Sequence, residues 1–209
     1  MTVIPFYGAD DPAMFAIERS AMDRDGVVLR ALNDLLPGGR VLDVGAGDGF
    51  TAERLGASRL IVALEPSGGM IGERQLTWVR GDAEHLPFAD ATFDGAYATW
   101  AYFFSRDWDP TPGIRELDRV VRRGGALAIV DNLGDDAFAS MADGDISADP
   151  AWWAGQGFDT HVIETAFRFD DIDDARRLLG FFFGDRGAAA ASIDVPFHVG
   201  LFTRPSLGA

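Results

Sequence analysis

The chain has 209 residues, of which 47% are hydrophobic and 24% are charged, a composition that suits one domain with a sizeable core. The formal net charge is −15, and no arginine cluster is denser than residues 119–123, so the pattern lacks the basic patch that nucleic acid requires. All 18 basic residues are arginine and there are no cysteines, which excludes Schiff-base lysines, phosphate-loop lysines, disulfides and thiolate catalysis.

The sequence also carries no pattern typical of membrane insertion or export. No apolar run approaches the roughly 18 uninterrupted residues of a membrane span. Residues 1–15 lack a basic start followed by an apolar segment. We therefore expect a cytoplasmic protein that binds neither membranes nor nucleic acid and forms a single domain over residues 1–209. The sequence says nothing about its oligomeric state.

The order of the predicted elements is the main signal for the fold. Asp11-Pro12 and the apolar spacing after it predict N-terminal helices within residues 11–36. Strand-like runs then alternate with helical patterns, which predicts an α/β fold with a mostly parallel sheet and helices on both faces. Strands are predicted at 40–44, 59–65, 76–82, 92–100, 126–132, 161–169 and 193–204, and further helices at 48–56, 67–75, 111–125 and 170–184.

Residues 133–158 interrupt this alternation and are predicted to form an insertion or a lid. Their five aspartates lack the spacing of a calcium-binding loop, so we expect solvated surface charge and no metal site. A weaker hypothesis is that these carboxylates attract a cationic substrate. The Trp152-Trp153 pair either caps a pocket or fixes the insertion to the body of the domain, and the sequence leaves both interpretations open.

Three successive strands are each followed by an acidic side chain. The first strand ends at Asp43, the second at Glu65 and the third at Asp82. Because ligands of open parallel sheets bind outside the carboxyl ends of the strands, these carboxylates are expected at one site. Glu65 lies 20 residues after Gly45, the interval at which an acidic side chain typically binds the ribose hydroxyls of a nucleoside. The spacing therefore predicts a nucleoside-bearing cofactor.

The glycine-rich stretch VLDVGAGDGF, residues 41–50, indicates which cofactor this is. Its glycines permit close backbone approach, but Phe50 stands where a dinucleotide-binding fingerprint has its third glycine. Asp43 and Asp48 would repel a pyrophosphate, whereas they tolerate a sulfonium centre and an amino-acid ammonium group. These features favour S-adenosylmethionine. A nucleotide-dependent oxidoreductase is the alternative from another class, and the missing glycine disfavours it.

Four sequence blocks resemble the class I S-adenosylmethionine-dependent methyltransferases, particularly the branch of ubiquinone and menaquinone biosynthesis. The blocks are VLDVGAGDGF, LEPSGGM, GDAEHLPFADATFDGAYATW and RELDRVVRRGGALAIVD, which lie within residues 38–132. The resemblance implies a Rossmann-like three-layer sandwich whose seven-stranded sheet ends in an antiparallel strand. It also implies release of S-adenosylhomocysteine as product.

The resemblance further implies which residues bind the cofactor. The glycine-rich loop would line the methionine part, Glu65 would hold the ribose, and Asp82 would read the adenine edge. The implied set is Asp43, Gly45, Ala46, Gly47, Gly49, Glu65, Pro66, Met70, Asp82 and Ala83. The C-terminal third matches no named subfamily, so the methyl acceptor is not identified.

Methyl transfer from a sulfonium is an in-line displacement with a good leaving group, so positioning and desolvation can supply most of the catalysis. If the acceptor needs a general base, His85 and His161 are candidates, although each is more readily explained as a structural or exposed side chain. Tyr7, Trp100 and Tyr102 are candidate substrate contacts, against the alternative that they only pack in the core. We predict a small-molecule methyltransferase, with a catalytically inactive binding protein of the same fold as a further alternative.

Overall fold

A seven-stranded sheet forms the centre of the computed structural model, which describes Gly8, residues 10–104 and residues 108–209. Its strands lie in the order β3-β2-β1-β4-β5-β7-β6, and β7 runs antiparallel to both β5 and β6. The strands are β1 Arg40–Val44, β2 Leu60–Glu65, β3 Thr77–Arg80, β4 Phe93–Thr99, β5 Val121–Asn132, β6 Asp159–Arg168 and β7 Asp194–Pro205. The predicted fold class, with its antiparallel last strand, is confirmed.

Six α-helices accompany the described part of the sheet. They are α1 Pro12–Ala21, α2 Val27–Leu35, α3 Phe50–Leu55, α4 Thr111–Val120, α5 Pro150–Gly155 and α6 Ile172–Ala189. The Asp11 carboxylate accepts a hydrogen bond from the Met14 N–H at the start of α1, which satisfies one of the free donors of the first turn. Asp23 does the same for α2 by accepting from the N–H groups of Val27 and Val28.

That residues 1–209 form one domain stays a prediction.

The helix predicted over residues 67–75 is wrong, since this segment forms turns and bends between β2 and β3. Gly68, Gly69 and Gly72 each disfavour a helix by about 1 kcal/mol relative to alanine. The segment is instead fixed by Arg74, whose Nε donates to the Asp48 carbonyl oxygen at 2.9 Å. The three glycines therefore explain why the predicted helix does not form.

The core lies on both faces of the sheet because alternate residues of each strand point to opposite sides. Val41 of β1 packs in the cluster that contains α1, α2 and α6, while its neighbour Leu42 packs in the cluster that contains α4 and α5. The insertion is part of this core through Trp153, which is fully buried and stacks on Phe202 of β7 with ring centroids 5.0 Å apart. Trp153 thus fixes the insertion to the sheet.

Among the described residues, no helix combines the length and the apolar character needed to cross a bilayer. The same part of the chain contains no group of three or more histidine or carboxylate side chains arranged to hold a metal ion. In the acidic insertion, the Asp143 side chain is fully exposed and lies 3.8 Å from Arg186.

Candidate functional site

A cleft of about 460 Å³ opens where β1, β2, β4 and β5 end. Parallel strands present their carboxyl ends at one edge of the sheet. After β1 the chain continues to β2 on one side, and after β4 it continues to β5 on the other side, so the two connections diverge at this edge. Of the residues predicted from the sequence to form the site, the cleft wall contains Gly45, Ala46, Gly47, Glu65, Pro66, Asp82, Ala83, Trp100 and Tyr102. The sheet therefore brings seven of the ten predicted cofactor residues and two predicted substrate contacts together, while Tyr7 lies outside the described residues.

The glycine-rich loop is held close to the strand ends by its own backbone. The N–H groups of Gly45 and Ala46 both donate to the Leu64 carbonyl oxygen, at 2.9 and 3.0 Å. Gly45 has a φ of +77°, and a Cβ at this position would lie only 2.5 Å from the Ala101 Cβ. Gly47 also has a positive φ, of +56°, but an added Cβ there would meet only Met70, at 3.9 Å. The loop thus needs glycine at Gly45 for packing and leaves space at Gly47 on the cleft wall.

Glu65 organises the floor of the cleft. Its Oε2 accepts from the Gly47 N–H at 2.9 Å and its Oε1 accepts from the Ser67 N–H at 2.8 Å. Burial raises the pKa of this carboxyl, and the two N–H donors partly oppose that shift because they favour the charged form. Each carboxylate oxygen keeps a second lone pair, so Glu65 can also accept hydrogen bonds from a ligand in the cleft.

Asp43 lies beneath the loop and does not reach the cleft wall. It is almost fully buried, its Oδ2 accepts from the Tyr97 hydroxyl at 2.8 Å, and its Oδ1 is buried without a partner among the described residues. Burial raises the pKa of the Asp43 carboxyl from its ordinary value of 3.8 to about 7, although the Tyr97 hydrogen bond opposes the shift. Asp43 is therefore a buried carboxyl, bonded to Tyr97 of β4, whose charge changes near neutral pH.

This carboxyl should make the folded state less stable as the pH rises. Between the ordinary pKa of 3.8 and the folded pKa of about 7, the native state holds a proton that the unfolded chain releases. The stabilisation by this proton is complete below the lower value and is lost as the pH rises through 7. We expect the wild type to lose up to roughly 1 kcal/mol per pH unit relative to Asp43→Asn between pH 5 and 7. Urea unfolding at several pH values measures this difference, and parallel curves for the two proteins would contradict it.

Gly49 and Met70 also lie behind the cleft wall. Gly49 has a φ of +78°, and a Cβ there would meet the side chains of Leu76 and Trp78 at 2.5 and 3.0 Å. Met70 is buried and is not part of the wall. Both residues shape the loop and its surroundings, and their contact with a cofactor stays a prediction.

Asp82 follows β3 and presents one oxygen to the cleft. Its Oδ1 accepts from the N–H groups of Glu84 and His85, both at 3.0 Å, which fixes the carboxylate in a tight turn. Its Oδ2 makes no hydrogen bond to the described residues, although Asp82 lines the cleft beside the buried Ala83. This oxygen and the neighbouring backbone are available to a polar ring edge.

Neither candidate histidine lies in the described part of the cleft wall. The His85 side chain is 76% exposed, with Nδ1 3.3 Å from Asp82 Oδ1. His161 lies on β6, where its Nε2 is 3.2 Å from the Thr203 hydroxyl oxygen. The described wall therefore contains no histidine, and a catalytic role for His85 or His161 stays a prediction.

The other half of the cleft is lined mainly by aromatic and apolar side chains. Tyr102 lines this half, and its hydroxyl donates to Glu84 Oε1 at 3.1 Å. Sequence reasoning missed several wall residues, namely Phe15, Glu18, Arg19, Met22, Thr99, Ala101, Phe104, Asn132, Phe138, Ile146, Phe182 and Phe183. Phe138 and Ile146 lie in the insertion that the sequence predicted. No local motif indicates that residues of α1 and α6 line the cleft.

Arg19 is the one basic side chain in the part of the cleft wall that the structure describes. Its guanidinium lies over the rings of Phe15 and Phe50, with Cζ 5.2 and 4.8 Å from their centroids. Nε is buried without a hydrogen-bond partner among the described residues, and the Asp48 carboxylate lies 3.8 Å away. Arg19 thus brings a positive charge to a cleft that otherwise carries Glu18, Glu65 and Asp82.

These groups fit S-adenosylmethionine. Carboxylate lone pairs at the ends of adjacent strands suit ribose hydroxyls and an adenine amine, and the open space beside Gly47 admits close approach of a ligand. Arg19 is a cation of the kind that the carboxylate of the amino-acid part requires.

Residues 42–129 match the family model described as a methyltransferase domain. A demethylmenaquinone methyltransferase of Corynebacterium urealyticum is 40% identical over 102 residues, which are 47% of this chain and 44% of that protein. One of Clavibacter sepedonicus is 33% identical over 138 residues, 56% of each chain. The alignments thus span about half the length of these curated relatives.

Solved structures agree with the fold over most of the chain. A SAM-dependent methyltransferase of Thermotoga maritima superposes with a TM-score of 0.62 at 19% identity and covers 96% of both chains. A cyclase has the same fold, with a TM-score of 0.56 at 19% identity, and covers 89% of this chain and 82% of its own. The sheet order, the strand-end carboxylates and the match over residues 42–129 together show that this chain is similar to the class I S-adenosylmethionine-dependent methyltransferases.

Proposed function

We propose that this protein transfers a methyl group from S-adenosylmethionine to a small-molecule acceptor. The observation that carries the proposal is a single cleft in which the Gly45–Gly47 loop, Glu65 and Asp82 form one half and aromatic side chains form the other. One half has the polar groups that a nucleoside with an amino-acid tail requires. The other half has the apolar character of a site for an organic acceptor.

The cofactor-binding roles follow from the positions of the polar atoms. Glu65, already fixed by two N–H donors, accepts from the ribose hydroxyls, and Asp82 Oδ2 accepts from the adenine amine. Gly47 permits the backbone to approach the methionine part, and Arg19 pairs with its carboxylate. Pro66 and Ala83 supply apolar surface beside the adenine.

S-adenosylmethionine supplies an electrophilic methyl group on its sulfonium, and the chain supplies the geometry of the transfer. The wall residues hold the acceptor in line and exclude water, so the attacking atom is desolvated before it reacts. Because no histidine lies in the described wall, we propose that the acceptor is a good nucleophile in its own right. Positioning then accounts for most of the rate enhancement.

The acceptor class and the place of action are further parts of the proposal. The net charge of −15 disfavours a polyanionic acceptor such as nucleic acid, because like charges raise the cost of association. The relatives named demethylmenaquinone methyltransferases support a small organic acceptor. We propose that the reaction takes place in the cytoplasm.

Formation of S-adenosylhomocysteine tests the activity. The purified protein is incubated with S-adenosylmethionine and a panel of phenols, ketones and amines, and product is quantified against an acceptor-free control. We expect at least one acceptor to raise the rate above the control and to gain one methyl group by mass. Tight cofactor binding without turnover on any acceptor would favour the alternative of an inactive binding protein of this fold.

Removal of the Arg19 charge should weaken binding only of ligands that carry a carboxylate. We expect Arg19→Met to lower the affinity for S-adenosylmethionine roughly tenfold, because a charge-assisted hydrogen bond contributes about 1.5 kcal/mol. Methylthioadenosine, which lacks the amino-acid part, should bind the variant as it binds the wild type. Calorimetric titration with both ligands measures the difference.

Arg54→Met is the matched control for this variant. Arg54 also stacks on Phe50, with Cζ 3.4 Å from the ring centroid, but it is not part of the cleft wall. This control should leave both affinities unchanged. Equal losses for the two ligands in Arg19→Met would mean that Arg19 only supports the fold of α1.

A further inference from the structure

The backbone at the end of β4 is strained at a residue that faces the cleft. Trp100 has a φ of +45°, in the left-handed region that bulky side chains rarely adopt. Such a conformation is energetically unfavourable and persists only where the surroundings determine it. At Trp100 the backbone N–H donates to the Val130 carbonyl oxygen at 2.9 Å, and the indole stacks on Phe197 at 25° with centroids 6.3 Å apart.

The strained tryptophan fixes the orientation of one amide in the cleft wall. Its indole Nε1 lies 3.0 Å from Oδ1 of Asn132, the last residue of β5. An indole N–H can only donate, so the amide must present its oxygen to the indole and its Nδ2 in the other direction. The Asn132 Nδ2 makes no hydrogen bond to the described residues, yet Asn132 lines the cleft.

This amide stands in mainly apolar surroundings. The part of the cleft wall proposed to hold the methyl acceptor lies near the insertion and α6 and is formed by Phe138, Ile146, Phe182 and Phe183. Asn132 itself is held at its backbone, where its carbonyl oxygen accepts from the Ala148 N–H at 2.7 Å and its N–H donates to Asp131 Oδ1 at 2.7 Å. A fixed donor in an apolar site discriminates strongly between ligands that accept its hydrogen bond and ligands that do not.

We propose that Asn132 Nδ2 donates a hydrogen bond to an oxygen of the methyl acceptor, and that Trp100 positions the amide for this contact. The acceptor would therefore carry a carbonyl or phenolate-type oxygen close to the atom that receives the methyl group. This inference rests on the proposed function, because it assumes that the acceptor enters this cleft. Asn132 is a specificity residue and Trp100 is a positioning residue.

The test uses two probes of the same shape, acetophenone and α-methylstyrene, which differ in having C=O or C=CH₂. Each is titrated by NMR against the wild type and the variants, with and without S-adenosylhomocysteine. The measured quantity is the ratio of the two dissociation constants within each protein, which removes the effect of their different hydrophobicity. We expect Asn132→Leu and Asn132→Asp each to shift this ratio about tenfold against the ketone.

Asn132→Asp is the more informative variant, because it keeps an oxygen for the Trp100 indole but lacks the N–H donors. Trp100→Phe keeps an aromatic ring and removes the indole N–H, so the amide is no longer oriented and the ratio should shift about threefold. If either residue had only a structural role, its replacement would weaken the binding of both probes equally and leave the ratio of their dissociation constants unchanged.

An unchanged ratio in both Asn132 variants would overturn the inference, and so would failure of both probes to bind the wild type. Failure of S-adenosylhomocysteine to bind would instead contradict the proposed function. The titrations without cofactor still measure the preference for oxygen in that case, so the two failures are distinguishable.

Discussion

Replacing Glu65 by alanine should lower the affinity for S-adenosylmethionine by roughly a hundredfold. The carboxylate is expected to accept from the ribose hydroxyls, and hydrogen bonds to a charged group contribute about 1.5–3 kcal/mol. The variant also loses the acceptor of the Gly47 and Ser67 N–H groups, which lie at 2.9 and 2.8 Å. The loss of the two N–H contacts acts on the free protein and lowers its stability, whereas the loss of the ribose contact acts only on the complex, so affinity should fall by more than the loss of stability explains. Calorimetric titration together with urea unfolding measures the two effects.

Two further variants make this result specific. Glu65→Gln keeps one carbonyl oxygen and should bind with intermediate affinity, since an amide can accept from only one of the two N–H groups at full strength. Glu164→Gln on β6 is the control, because Glu164 is exposed and not part of the cleft wall. An unchanged dissociation constant in Glu65→Ala would refute the assignment of Glu65 to the ribose.

Replacing Gly45 by alanine should destabilise the fold by about 3 kcal/mol. Its φ of +77° costs an L-residue about 1–2 kcal/mol. A Cβ would in addition lie 2.5 Å from the Ala101 Cβ, and overpacking of this kind costs typically about 1–3 kcal/mol. The loop would be displaced from the strand ends, so cofactor binding should be lost together with the stability. Denaturant unfolding gives the free energy of unfolding directly.

Gly124→Ala separates the two contributions. Gly124 has the same φ of +77°, but an added Cβ there would meet nothing within 4 Å, so only the backbone cost remains. The double variant Gly45→Ala with Ala101→Gly removes the methyl group that the new side chain would strike and should recover the packing part of the loss. Equal destabilisation in Gly45→Ala and Gly124→Ala would show that close approach to Ala101 is not what requires glycine.

The part of the site that the sequence predicts is the part determined by local spacing. Gly45, Glu65 and Asp82 lie at or just after the carboxyl ends of β1, β2 and β3, and a parallel sheet places such positions at one edge whatever the rest of the chain does. The same reasoning does not separate wall residues from supporting residues. Asp43 and Met70 belong to the same motifs as Gly45 and Glu65, yet they lie behind the wall because burial depends on how the loop packs.

The rest of the cleft wall depends on contacts between distant segments, which no local pattern specifies. Arg19 reaches the cleft from a helix before the sheet, and Phe182 reaches it from a helix near the end of the chain. The contact between Trp100 and Asn132 depends on the register of β4 with β5, in which Thr99 lies opposite Val130. Such contacts are decided by tertiary packing and become visible only in the folded structure.

Calorimetric titration of the purified protein with S-adenosylmethionine, S-adenosylhomocysteine and NAD tests the central claim most directly. The arrangement of Glu65, Asp82 and Arg19 around one cleft predicts binding of the first two ligands and no binding of NAD. Binding of NAD alone would contradict the account and favour an oxidoreductase. Absence of binding for all three would mean that the cleft is not a cofactor site.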